Sequence, residues 1–177
     1  FTLFELAGAQ DIPFTFEFRG DEITQVEPGK AVSAVFLVQN TSEIEYALDV
    51  AADLPSGWRF IAIDNTVDLA ANDLQIVLAS FVAPTTAESG QYTIPFTARM
   101  QYAPEIVRKH IVTVFVQERI AVDIRSTDTS AYIIAGQEIS NEFTVANRSN
   151  TSVMIEFETR SSERLLLEID GYVGEFM

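Results

Sequence analysis

Carboxylates are the chemistry-bearing side chains this sequence holds in quantity. It has 26 Asp and Glu against 11 Lys and Arg, one His and no Cys in 177 residues. Two carboxylates about 5–10 Å apart across a cleft would serve a glycosidase as acid and as base or nucleophile. No spacing in the sequence singles out such a pair. Nucleophilic catalysis needs a base beside the nucleophile and a third group to orient it. The sole histidine, His110, stands in VRKHIVTVFV beside Arg108 and Lys109, and no G-x-S-x-G elbow supplies a serine. It reads as a half-exposed strand residue. The lack of Cys removes disulfides, thiolate catalysis and Cys-based zinc sites. A catalytic zinc site without Cys needs more than one His. No P-loop or G-x-G-x-x-G fingerprint occurs. The expectation is therefore a protein that is not an enzyme, with no catalytic residue and no cofactor.

Calcium is the one cofactor left open, because loop oxygens suit it. Asp21, Glu22, Asp64 and Asp68 are expected in loops, and Glu118 and Asp123 flank a junction at residues 117–123. No D-x-D-x-D-G loop is present, so these read first as solvated loop charge and the metal ligands stay unassigned. The net charge of −15 disfavours nucleic acid and anionic membrane surfaces, both of which need Lys and Arg. No apolar run approaches the roughly 18 residues of a membrane span. Three aromatic residues, Trp58, Tyr92 and Tyr102, are candidates for contact with a ligand or partner, such as stacking on a sugar. Trp58 follows a Pro-Ser-Gly bend and reads first as a cap on the core. Asn40, Asn147 and Asn150 each begin a glycosylation-type triplet, but the first two end matching strands, where an Asx-type turn explains them.

The elements that position these residues follow a period of two. FTFEFR (residues 14–19) alternates, with Phe14, Phe16 and Phe18 on one side. Further strands are expected at residues 31–40, 44–52, 58–63, 73–82, 91–102 and 105–117, separated by turns such as EPGK (27–30) and LPSGW (54–58). No segment sustains a 3.6 period. The pattern is that of an all-β, immunoglobulin-like β-sandwich. The phrase EPGKAVSAVFLVQNTSE then returns as IAGQEISNEFTVANRSN. Gly29, Val32, Phe36, Val38, Asn40 and Ser42 match Gly136, Ile139, Phe143, Val145, Asn147 and Ser149 at one offset, 107 (143 − 36). AVDIRS stands for FTFEFR with a shift of one residue, and SVMIEFETR stands for IEYALDVAA. RLLLEID stands for WRFIAID, with Leu165 at the Trp58 position and Leu167 at that of Phe60.

This gives a division into an N-terminal extension or edge strand (1–12), one complete sandwich (13–118) and the first part of a second repeat (119–177). A partial sandwich exposes its faces and edges. Its completion is expected from further repeats of a longer chain, from a protein partner, or from strand exchange in a homo-oligomer. VTVFVQERIAVDIRS crosses the junction with no Gly or Pro, so limited bending is expected between units. The chain begins at Phe1, which suggests a removed signal peptide or an excised fragment.

The order EPGKAVSAVFLVQNTS, LPSGW, DLAAND, FVAPTTAESGQYTI resembles the Ig-like accessory modules associated with bacterial α-galactosidases and NPCBM domains, which recur in large bacterial and archaeal surface proteins. The resemblance covers most of the first domain and the start of the second. It departs at Ala71-Asn72, where Pro-Gly is usual. It implies a spacer or interaction module outside the cytoplasm, in the periplasm, cell envelope or secreted. Two alternatives remain: a carbohydrate-binding accessory domain, and a pilus-chaperone-like subunit binder that would use Arg108, Lys109 and Arg119.

Overall fold

The structure is a computed structural model and describes residues 12–126, 134, 136 and 141–158. The chain divides into two compact units, Phe1–Gln117 and Glu118–Met177.

In the first unit, alternating apolar residues set strands whose inner faces meet. One four-stranded sheet has the order β1 (Phe14–Phe18), β3 (Ala31–Asn40), β7 (Leu74–Val82), β5 (Arg59–Ile63). The five-stranded sheet has the order β2 (Ile23–Val26), β9 (Val107–Val116), β8 (Gly90–Met100), β4 (Tyr46–Ala52), β6 (Thr66–Leu69). Along β3, Val32, Ala34, Phe36 and Val38 are buried and the residues between them are not. Phe36 stacks toward Phe16 and Phe18 on its own sheet and meets Phe96 of the opposite sheet at a centroid distance of 4.7 Å. Each such Phe contributes about 1.5–3 kcal/mol by leaving water.

Turn chemistry closes the strands. Lys30 N–H donates to Glu27 O, with Pro28 second and Gly29 third at φ 81°, a type II turn. At the Ala71-Asn72 departure, Asn72 takes φ 58°, the left-handed conformation that asparagine tolerates in place of glycine.

Two strands lie outside the sequence expectation. β2 and β6 are each four residues long, too short for their alternation to stand out. β6 corrects the placement of Asp68, which sits in a strand opposite Ala47 rather than in a loop. Asp21 and Glu22 lie where the chain crosses from β1 in one sheet to β2 in the other.

In the second unit, β10 (Val122–Ser126) pairs antiparallel with β11 (Phe143–Asn147). Val122 faces Asn147 as Phe14 faces Asn40. The offsets are 108 (122 − 14) and 107 (147 − 40), which is the one-residue shift read from the sequence. Residues 154–158 of SVMIEFETR carry no strand, against expectation. In the first unit the corresponding β4 is held between β8 and β6; among the described residues of the second unit no strand flanks residues 154–158. The expectations for residues 1–11, Leu165 and Leu167 lie outside the described residues.

Candidate functional site

The candidate contact residues come together in part. The Pro55-Ser56-Gly57-Trp58 turn, closed by Trp58 N–H to Pro55 O at 3.1 Å, swings the indole inward. Trp58 is 8% exposed, with Phe81 at 6.0 Å and Tyr92 at 5.2 Å between centroids. The Trp58 and Tyr92 rings are inclined at 50°, and the Tyr92 hydroxyl donates to Glu88 O. Neither ring is laid flat for a sugar. Tyr102 is 88% exposed but lies past the other end of β8, about 30 Å from Tyr92 at roughly 3.3 Å per residue. There it borders a shallow open groove of about 580 Å3 with Glu45, Asp68 and Asp73.

The carboxylates are dispersed. Asp64 accepts from Leu78 N–H at 3.0 Å, and Asp73 from Leu74 N–H and Gln75. Asp123 is held by Arg125 at 2.8 Å and faces Arg148 at 3.6 Å. Its hydrogen bond from Arg125 holds its carboxyl below the usual range. Among the described residues no three His, Asp or Glu side chains gather as metal ligands, and no helix is long and apolar enough to cross a membrane.

The basic residues of β9 diverge. Arg108 and His110 face the seam between the sheets. The Arg108 guanidinium reaches Phe14 O at 3.4 Å, and the His110 ring lies 5.4 Å from Phe18 and 6.0 Å from Phe36. Lys109 is on the opposite side, exposed. Arg119 belongs to the second unit, where its N–H donates to Asn150 Oδ1 at 2.7 Å. Within the first unit, Arg108 and Lys109 thus lie on opposite sides of β9.

The asparagine corner is the best-built polar site. Asn40 is fully buried at the end of β3. Its Nδ2 donates to Ile44 O and Ala70 O, and its Oδ1 accepts from Ser42 N–H and Oγ–H, all at 2.8 Å. Asn147 repeats the motif: Nδ2 donates to Thr151 O at 3.0 Å and Oδ1 accepts from Ser149 N–H at 2.9 Å. With Nδ2 of Asn40 buried and doubly bonded, this triplet is a structural corner and not a glycan acceptor. Nearby, the Tyr46 hydroxyl donates to Pro13 O at 2.6 Å, and burial pushes its pKa up.

Sequence reasoning overlooked an interrupted strand edge on β9. β2 pairs only from Ile23 opposite Thr113 to Val26 opposite Val116, leaving residues 107–111 uncovered on that side by any described strand. The signal is weak in sequence, because it depends on β2 being short. A second overlooked feature is the face of β10 and β11. Val122, Ile124 and Phe143 occupy positions equivalent to Phe14, Phe16 and Phe36, yet are 38%, 58% and 58% exposed.

No protein-family model and no curated protein matches the sequence. Solved structures match by fold. The FixG-related protein from Vibrio parahaemolyticus aligns at 13% identity and TM-score 0.50, over 59% of this chain and 97% of that one. A family 123 glycoside hydrolase from Clostridium perfringens aligns at 8% and 0.47, over 59% of this chain and 27% of that one. The PapD-like domain 7 of human CEP192 aligns at 10% and 0.39, over 66% and 95%. The chain thus spans about a quarter of the hydrolase. At such identities the likeness shows an Ig-like β-sandwich fold and carries no activity.

Proposed function

We propose that this chain is a non-catalytic structural and interaction module of a bacterial envelope or surface protein, built from Ig-like units in tandem. It acts as a spacer and presents sheet surfaces to a protein partner or to further repeats. One observation carries the reading. The ladder of β10 and β11 has the register of β1 and β3, but its core-type residues Ile124 and Phe143 are each 58% exposed. A sheet face of that composition is stable in water once another apolar surface covers it. The recurring asparagine corner supports a tandem origin, and the resemblance of the turns to accessory Ig-like modules supports an extracytoplasmic setting. The junction from β9 to β10 contains no Gly or Pro, which suits a spacer of restricted bending.

Dye binding tests this. 1-Anilinonaphthalene-8-sulfonate is expected to fluoresce with the native chain and to lose most of that signal in an Ile124→Asn, Phe143→Asn double variant. An unchanged signal overturns the assignment of this face. A second reading, a carbohydrate-binding accessory domain, rests on exposed Tyr102 beside Glu45, Asp68 and Asp73. A glycan array separates the two: saturable binding lost in Tyr102→Ala favours the sugar module, and no binding favours the spacer.

A further inference from the structure

The outer face of the four-stranded sheet carries an apolar band. Along β7, Val77, Ala79 and Phe81 turn inward and are buried, so Leu74, Ile76 and Leu78 turn outward. These three are 55%, 67% and 43% exposed. On β3, half-buried Leu37 lies opposite Ile76 and half-buried Val35 opposite Leu78. Charge flanks the band in a single row across the sheet. Arg19 N–H donates to Val35 O at 2.7 Å, and Asp64 N–H donates to Leu78 O at 3.1 Å. The row therefore reads Arg19, Val35, Leu78, Asp64. Both end residues are exposed. Each follows an inward one: Phe18, whose ring lies 5.5 Å from that of Phe36, and Ile63, opposite buried Ala79. The outward positions of this sheet hold two cations, Arg19 and Arg59, and two carboxylates, Glu17 and Asp64. The face is thus balanced in a chain whose net charge is −15.

The geometry points to a second copy of this chain, docked through the same face, as the occupant. A two-fold axis running along the strands, midway between β3 and β7, makes the surface its own complement. Val35 then meets Leu78 across the interface, and Leu37 meets Ile76. Arg19 meets Asp64 twice, once on each side of the axis. An axis running across the strands at that row would instead set Arg19 on Arg19 and Asp64 on Asp64, like on like. Sheets stacked face to face lie about 10 Å apart, within the combined reach of an arginine and an aspartate. A balanced face is also where two acidic chains approach with least repulsion. The sheet is four strands wide and β7 is nine residues long, which gives a face of roughly 15–20 by 30 Å. About 500 Å² per copy falls below the roughly 800 Å² of a standard interface, so the dimer is weak and reversible. This inference goes beyond the proposed spacer role and does not use the β10–β11 face.

Sedimentation equilibrium of the full chain tests it. A monomer–dimer equilibrium is expected in the high micromolar range, as for interfaces at the small end of the size range. Ile76→Lys buries a charge at the centre of the band and is expected to weaken association by at least about tenfold. Emission from Trp58, the sole tryptophan, reports that the sandwich stays folded. Arg19→Asp alone and Asp64→Arg alone are each expected to weaken self-association by about tenfold, since each sets like charges together on both sides of the axis. Mixed together, these two single variants are expected to form a heterodimer as tight as the unaltered dimer, because every facing pair is then opposite in sign. Ile111→Lys on the other sheet, and the Ile124→Asn, Phe143→Asn double variant, are expected to leave the equilibrium unchanged. A chain that stays monomeric up to about 1 mM overturns the proposal. So does a dimer that survives Ile76→Lys, or one that the Ile124→Asn, Phe143→Asn variant abolishes, which would assign association to the β10–β11 face.

Discussion

The β1–β3 ladder and the β10–β11 ladder are built to one plan and live in different surroundings. Both pair antiparallel in the same register, and both end β3 or β11 in an asparagine whose amide closes the next turn. In the first ladder Phe36 is fully buried under Phe96; in the second Phe143 is 58% exposed. Register and corner chemistry are local and need two strands. Burial is not local, because it needs the opposite sheet. A repeated phrase in a sequence therefore secures the ladder, and the covering surface decides how much stability the same residues yield.

The sharpest way to break this comparison is to truncate both phenylalanines. Phe36→Ala is expected to cost about 3–5 kcal/mol in denaturant unfolding, the range for a large buried aromatic. Phe143→Ala is expected to stay within about 0.5 kcal/mol, as for other exposed positions. Equal losses would mean that the two faces are equally covered.

The corners sharpen the comparison next. Asn40→Ala orphans the amide of Ser42 and removes one of two donors from each of the Ile44 and Ala70 carbonyls, which keep Ser42 Oγ and Asp73 N–H respectively, and is expected to cost about 1–3 kcal/mol, since a buried orphan is penalised. Asn147→Ala is expected to leave the unfolding of the first unit unchanged and to loosen only amides near Ser149.

Smaller effects follow from titration. Tyr46 has a raised pKa in the folded chain. Its protonated form is thus favoured on folding, so that contribution is intact below about pH 10 and lost as pH rises through the folded value. Tyr46→Phe is expected to remove this alkaline component and to cost about 1 kcal/mol near neutrality through the lost bond to Pro13. Asp123 has a lowered pKa and is half-buried. Its contribution is present above the ordinary carboxylate range and fades as pH falls. Asp123→Asn is expected to change only the acid end of β10–β11 amide exchange.

Much of this was legible in residue order. The β3 strand could be read because ten residues of alternation end in Asn-Thr-Ser, and Trp58 could be read as core because Pro-Ser-Gly forces the ring inward. β2 and β6 escaped because four residues give too few alternations, and with β2 went the open edge of β9. The exposure of Phe143 was hidden for a different reason. Its neighbours in sequence are those of Phe36, and the difference lies in strands far along the chain. Tyr92 was legible as an aromatic but not as the partner of Trp58, since that pairing depends on β8 passing the end of β5.

Because the protein contains no cysteine, thiol labelling measures the two faces directly. Ala34→Cys sits on the inward face of β3, where Ala34 is 1% exposed, and Phe143→Cys sits on the matching face of β11. In the native chain the thiol at 143 is expected to react with Ellman's reagent nearly as fast as in denaturant, while that at 34 waits for unfolding. Equal protection of both, with the fold intact, would contradict the account.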